Sequence, residues 1–228
     1  MKVKFGAIVT DGRGKIGGHV LSKNRGGAYM RTKVTPSNPQ TPSQSSVRAT
    51  LTALSQAWRG LTASAISAWN SAVTNFESTD IFGDLKSPSG LNLYVKLNAN
   101  LAEVGISPLA LPPLPDSVTG PATITVTAAA GTPAMSIAWT GGAIPADTYW
   151  VVRATKQISP GKSFVKNLFR NIQVLAPADV TPTALLTAYV AKFGTLVAGQ
   201  KIAVSVVAVN GLTGQKSTEI NTTLIVAA

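Results

Sequence analysis

The chain has 228 residues, 45% hydrophobic and only 13% charged, with a formal net charge of +11. That length and apolar content suffice for one large or two small domains and exclude a disordered polymer. Cysteine is absent and His19 is the single histidine, which excludes disulfides, a cysteine nucleophile and thiolate or multi-histidine metal sites.

The positive charge is concentrated at the start. Lys2, Lys4, Arg13, Lys15, Lys23, Arg25, Arg31, Lys33 and Arg48 are set against one acid, Asp11, so nine bases less one acid give this stretch +8 of the +11. Residues 1–40 read as an extended basic arm, rich in glycine and running into Pro36 and Pro39. Short apolar runs at Phe5–Val9, His19–Leu21 and Ala28–Met30 suit hairpins turning through Lys23–Gly27. A lone hairpin is marginal in water, and the arm holds too few apolar residues to offset its chain entropy. It is therefore expected to order against other chains. Clustered Lys and Arg suit phosphate as well as acidic protein. Phe5 and Tyr29 are the arm's only aromatics, a poor provision for stacking bases. Docking on protein is thus the first reading and nucleic-acid binding the alternative.

Residues 41–107 read as a helical docking unit. Thr41-Pro42 is a cap-and-proline start, after which Val47, Leu51, Leu54 and Trp58 fall on one stripe of a 3.6-residue helix. Gly60 ends it, and Thr62 caps a second helix whose stripe is Ile66, Trp69, Val73 and Phe76. Ser87-Pro88 opens a third, from Leu91 to Val104, closed by Gly105. The predicted core of this three-helix cluster is Leu51, Leu54, Trp58, Ile66, Trp69 and Val73.

Residues 108–115, with four prolines in eight positions, form a semi-rigid, extended linker. Beyond it the apolar period switches to two. Strands are predicted at 122–127, 135–140, 148–155, 164–175, 201–210 and 217–226, with the last two joined by a tight turn through Asn210-Gly211 and Thr213-Gly214. A short helix is expected from Thr181-Pro182 to Lys192, closed by Gly194. The fold class is thus α+β: the basic arm, a small helical cluster and, over 116–228, an immunoglobulin- or fibronectin-like β-sandwich. Trp139 and Trp150 should meet where the inner sheet faces oppose.

No motif assembles a catalytic or cofactor site. Gly12-Arg-Gly-Lys-Ile-Gly17 matches the dinucleotide fingerprint, yet no helix pattern opens there and no acid lies near residue 37. A phosphate-binding loop fails as well, because Gly14-Lys15 precedes Ile16. His19 reads as a polar contact of the arm. Glu77, Asp80 and Asp84 cluster in one loop but lack the alternate spacing of a calcium loop, so capping and solubility are the expected roles. The chain is expected to be no enzyme, with no cofactor, no metal and no small-molecule substrate. No apolar stretch approaches the ~18 residues of a membrane span, and the start lacks a secretory apolar core, so neither membrane insertion nor export is expected.

Asn38-Pro39-Gln-Thr41, Gln44 and Arg48, then Trp58-Arg-Gly-Leu61-Thr62, Ala68-Trp69-Asn70, Ser89-Gly90-Leu-Asn92-Leu and Asn98-x-Asn100-Leu carry a resemblance. Together they resemble an uncharacterised family of phage and prophage proteins from Bacteroidetes-type bacteria. Its members look alike in a glycine-rich basic start, this helical signature and a C-terminal fibronectin-like module. The specific matches lie within residues 36–101, and the general likeness extends over the chain. The resemblance implies a virion structural component, assembled in the host cytoplasm and contacting other virion proteins and copies of itself. It implies no catalytic residues.

Overall fold

A computed structural model of the chain describes residues 1–6, 11–24 and 26–228. Strands β1 (Gly14–Ile16), β2 (His19–Asn24) and β3 (Gly27–Thr32) precede helices α1 (Pro42–Arg59) and α2 (Ala63–Ala72). A 3-10 turn at Val73–Phe76 leads to β4 (Ser78–Thr79), β5 (Leu85–Lys86) and α3 (Gly90–Glu103). Then follow β6 (Ile124–Ala129), β7 (Ala134–Trp139), β8 (Thr148–Ala154), β9 (Arg170–Leu175) and β10 (Thr183–Ala184). Helix α4 (Leu186–Phe193) and strands β11 (Lys201–Asn210) and β12 (Ile220–Ile225) complete an α+β chain whose sheets are antiparallel. Two compact units result: Met1–Ala49 with Glu77–Ser87, and Thr50–Phe76 with Pro88–Ala228.

In the first unit the arm forms a β1-β2-β3 sheet. Gly17, at φ +54°, helps turn β1 into β2, and Asn24 Oδ1 accepts from Gly26 N at 2.9 Å in the next turn. Residues 1–3 run beside β3, with Met30 N donating to Met1 O and Val3 N to Ala28 O. Most of the expected Phe5–Val9 run falls outside the described residues.

In the second unit, α2 and α3 pack through Trp69, Leu93, Tyr94 and Leu97, and α1 joins them through Leu54 and Trp58. Tyr94 lies between two tryptophans, with its ring centroid 5.3 Å from both Trp58 and Trp69. Thr62 Oγ1 caps α2 by accepting from Ala65 N. The cap of α3 is Ser89 rather than Ser87: Ser89 Oγ accepts from Asn92 N, whereas Ser87 donates to Glu77.

The predicted helical core needs two corrections. Leu54 and Trp69 are buried, with Trp58 and Val73 half-buried against them. Leu51 is 51% exposed and Val47 70% exposed, because α1 meets the cluster only from Leu54 onward. Ile66 is half-buried outside the cluster; small Ala65 turns inward with Trp69 one turn on. The 108–115 segment is tied down at its start instead of spanning freely: Asn98 Oδ1 accepts from Leu109 N, and Trp69 Nε1 donates to Ala110 O.

The remaining strands form two sheets, ordered β10-β7-β6 and β12-β11-β8-β9. Their inner faces share one core in which Trp139 and Trp150 stack edge to face at 5.0 Å. Burial alternates along β6 and β7, but β11 is buried on both faces from Ile202 to Val209. Two expectations shift here. The run from Phe164 forms a strand only from Arg170, after a 3-10 turn at Lys166–Leu168. The helix after Pro182 starts at Leu186, because Thr183–Ala184 first pairs with β7. Asn210 Oδ1 accepts from Leu212 N and Thr213 N, and Gly214 at φ +69° completes the predicted tight turn.

Trp69→Ala removes a fully buried ring and one hydrogen bond, and is expected to cost about 3–5 kcal/mol. Urea denaturation should show this as a lowered midpoint, while Leu51→Ala stays within about 0.5 kcal/mol of the parent.

Candidate interaction surface

The arm's cations are arranged by strand register. Lys15 pairs with Val20, and Val20 with Arg31. Residues directly opposite share a face, as do residues two apart. One face of the arm sheet therefore carries Lys15, Val20 and Arg31, then Ser22 and Tyr29. Lys2, bridged to Tyr29, belongs to it, and Lys33 follows Arg31 by two residues. Lys33 N donates to Gly18 O, so the pairing runs one residue past β3. Leu21, Met30, Ile16, His19 and Lys23 lie on the opposite face by the same register. Phe5 and Leu21 crowd Gly12 so closely that a Cβ there would touch both.

Part of the basic set is neutralised within its own unit. Lys2 Nζ lies 3.4 Å from Asp80 Oδ2, and Lys4 Nζ 3.0 Å from Asp84 Oδ2. Lys4 also stands 5.4 Å over the Phe82 ring, a favourable cation–π approach. Asp80 Oδ1 accepts from Phe82 N and Asp84 N, folding the loop between β4 and β5 around one carboxylate. Covering by the loop pushes Asp80 up, but those two backbone donors and Lys2 prevail and hold its pKa below the usual value. Loop and arm line an open cleft of about 200 Å³, with Lys2, Lys4, Gly27, Asp80, Phe82 and Lys86 among its walls. Arg13 pairs with Asp11 at 3.5 Å. Lys15, Lys23, Arg31 and Lys33 make no ion pair with another described residue. Arg25 lies outside the described residues.

Gly12-Arg-Gly-Lys-Ile-Gly17 runs into a hairpin, with Gly14 opening β1 at φ +120° and no helix following. Among the described residues no three His, Cys, Asp or Glu side chains group as a metal site, and no helix is long and apolar enough to cross a membrane.

The signature residues of the helical stretch have structural roles. Arg48 Nη2 donates to Asn38 Oδ1 at 2.7 Å. A Cβ on Gly90 would collide with Asn70, so Gly90 sets the close approach of α3 to α2. Asn98 Nδ2 donates to Tyr94 O, and Asn100 Nδ2 to Gly214 O.

A charge network in the second unit had no sequence signal beyond isolated residues. Glu103, at the end of α3, accepts from Lys216 Nζ at 2.5 Å, Asn171 Nδ2 at 2.6 Å and Arg153 Nη2 at 3.2 Å. Its two cations and one amide come from parts of the chain far apart in sequence, which only the folded sheet brings to one carboxylate. Comparison of the chain with protein-family models, curated proteins and solved structures finds no match.

Burial pushes the Glu103 carboxyl up, but Lys216, Asn171 and Arg153 outweigh it and hold its pKa below the ordinary 4.5. The network's stabilisation is thus complete above that value and lost as pH falls through the lower folded-state pKa. Thermal midpoints should fall on acidification below about pH 4.5, and Glu103→Gln should flatten that part of the profile. A variant with the parent's acid profile would remove Glu103 from this role.

Proposed function

We propose that the chain is a bacteriophage virion structural protein, a capsid-associated, decoration, neck or fibre-anchoring component that acts through assembly contacts and not as an enzyme. Its partners are other virion proteins and copies of itself, met during assembly in the host cytoplasm. One observation carries this reading: every residue from Pro42 to Ala49, the first two turns of α1, is exposed. Helical stability in proteins comes mostly from packing of an apolar face, and these turns pack nothing. Here Val47 and Leu51 continue, uncovered, the stripe that Leu54 and Trp58 bury. Such a seam gains stability from a second surface, through the apolar area it removes from water. The helical signature fits the same reading through its resemblance to phage proteins, since its residues cap, pack and brace. The two sheets sharing one core are read as an immunoglobulin- or fibronectin-like sandwich that projects or packs as a module.

The test places charge on the seam. Val47→Asp combined with Leu51→Asp should leave the urea midpoint of the free protein within about 0.5 kcal/mol of the parent, since both sites are exposed. Incorporation into particles, followed by co-sedimentation, should be lost. Unchanged incorporation would refute an assembly role for this helix.

A further inference from the structure

We propose that the open end of the basic face of the arm sheet, Lys15, Arg31 and Lys33, binds the phosphate backbone of nucleic acid. The proposal goes beyond the assembly role and does not require it.

Register separates two kinds of cation on this face. The row formed by Ser22, Tyr29 and Lys2 includes the lysine taken by Asp80, with Arg13 beside it taken by Asp11. The row formed by Lys15, Val20 and Arg31, with Lys33 beyond it, has no described carboxylate paired to it. All three side chains are exposed. Lys15 and Arg31 stand two strands apart, roughly 10 Å, and Arg31 and Lys33 are roughly 7 Å apart along β3. Three long cationic side chains at that spacing reach several successive phosphates. Tyr29, half-buried on the same face, adds one flat apolar surface beside them.

The chemistry favours nucleic acid over an acidic protein. Protein interfaces deplete charge at their centres and enrich apolar groups, whereas nucleic-acid interfaces are strongly positive. This patch has Val20 as its one aliphatic side chain, and the apolar residues Leu21, Met30 and Ile16 lie on the other face. A second copy of the chain offers it little concentrated negative charge. Asp80, Asp84, Asp11 and Glu103 are already ion-paired, Glu77, Asp116 and Asp179 accept hydrogen bonds, and the exposed Asp147 and Glu219 are single acids 72 positions apart in sequence.

The experiment titrates the full chain into a fluorescein-labelled random-sequence 20-base-pair DNA duplex, read by anisotropy at several salt concentrations. Neutralising about three phosphates predicts a slope of log K against log salt near −3. The triple variant Lys15→Glu, Arg31→Glu, Lys33→Glu should weaken binding at least tenfold. Because three reversals on one small sheet can unfold it, Arg31→Ala alone provides a second reading: affinity falls uniformly across sequences and the slope shrinks by about one. Lys23→Glu, on the opposite face, should leave affinity within about twofold of the parent, given a duplex contact confined to one face. An equal loss with Lys23→Glu, a slope near zero, or polyglutamate competing as well as unlabelled duplex would each overturn the assignment. Loss of particle incorporation in the α1 variant with DNA binding intact would show that the two roles are separate.

Discussion

Strand β11 is the constraint around which the second unit is organised. It pairs with β12 along one edge and β8 along the other, and every residue from Ile202 to Val209 is buried. Its inner residues, Ile202, Val204, Val206 and Ala208, fill the core between the sheets. Its other face holds Ala203, Ser205, Val207 and Val209, also withdrawn from water. In a strand wet on one face, alternation alone sets register, because a one-residue slip turns the apolar set to water; here both faces are buried, Ser205 included, so register rests on the pairing partners on either edge. The sheet pairings, the Asn210–Gly214 turn and the α3 contacts at that turn all follow from holding this apolar run in place.

Close approaches then fix the helices. A Cβ on Gly214 would strike the Leu97 carbonyl, and Gly214 O accepts from Asn100 on the same helix. Gly90 does the same for Asn70 at the junction of α2 and α3. The absent side chains permit these close approaches, and Asn100 satisfies the Gly214 carbonyl that the proximity covers. Glu103 completes the arrangement with charge, holding Arg153 of β8, Asn171 of β9 and Lys216 ahead of β12.

Much of this was legible because it rests on local chemistry. Thr62 caps a helix wherever the chain continues helical, and the Asn210–Gly214 turn is closed by Asn210's own side chain on Leu212 N and Thr213 N. The two-residue alternation of β6 and β7 follows from one wet face, and Trp139 meets Trp150 as their inward phase requires. What escaped depends on partners far away in sequence. Leu51 has the same periodicity as Leu54, and nothing local says where a neighbouring helix stops. Ser87 and Ser89 are equally good caps on paper; Glu77 engages the first and leaves the second to α3. Asp80 and Asp84 read as solubilising acids until the loop is seen facing Lys2 and Lys4. The run Ile202–Val209 did carry a signal: apolarity over a strand length, interrupted only by Ser205, indicates burial on both faces.

The Pro-rich segment has a mechanical consequence. Leu109 and Ala110 are hydrogen-bonded to α3 and α2, while Leu114 O accepts from Gln215 Nε2 and Asp116 N donates back to Gln215 Oε1. A tension applied to α2 and α3 cannot be absorbed by uncoiling a slack tether between helices and sheets. It is carried at once by these hydrogen bonds, by Asn100 on Gly214 and by the Glu103 network, several of which must break together. Helices α2 and α3 and the sheets of the second unit therefore share such a load.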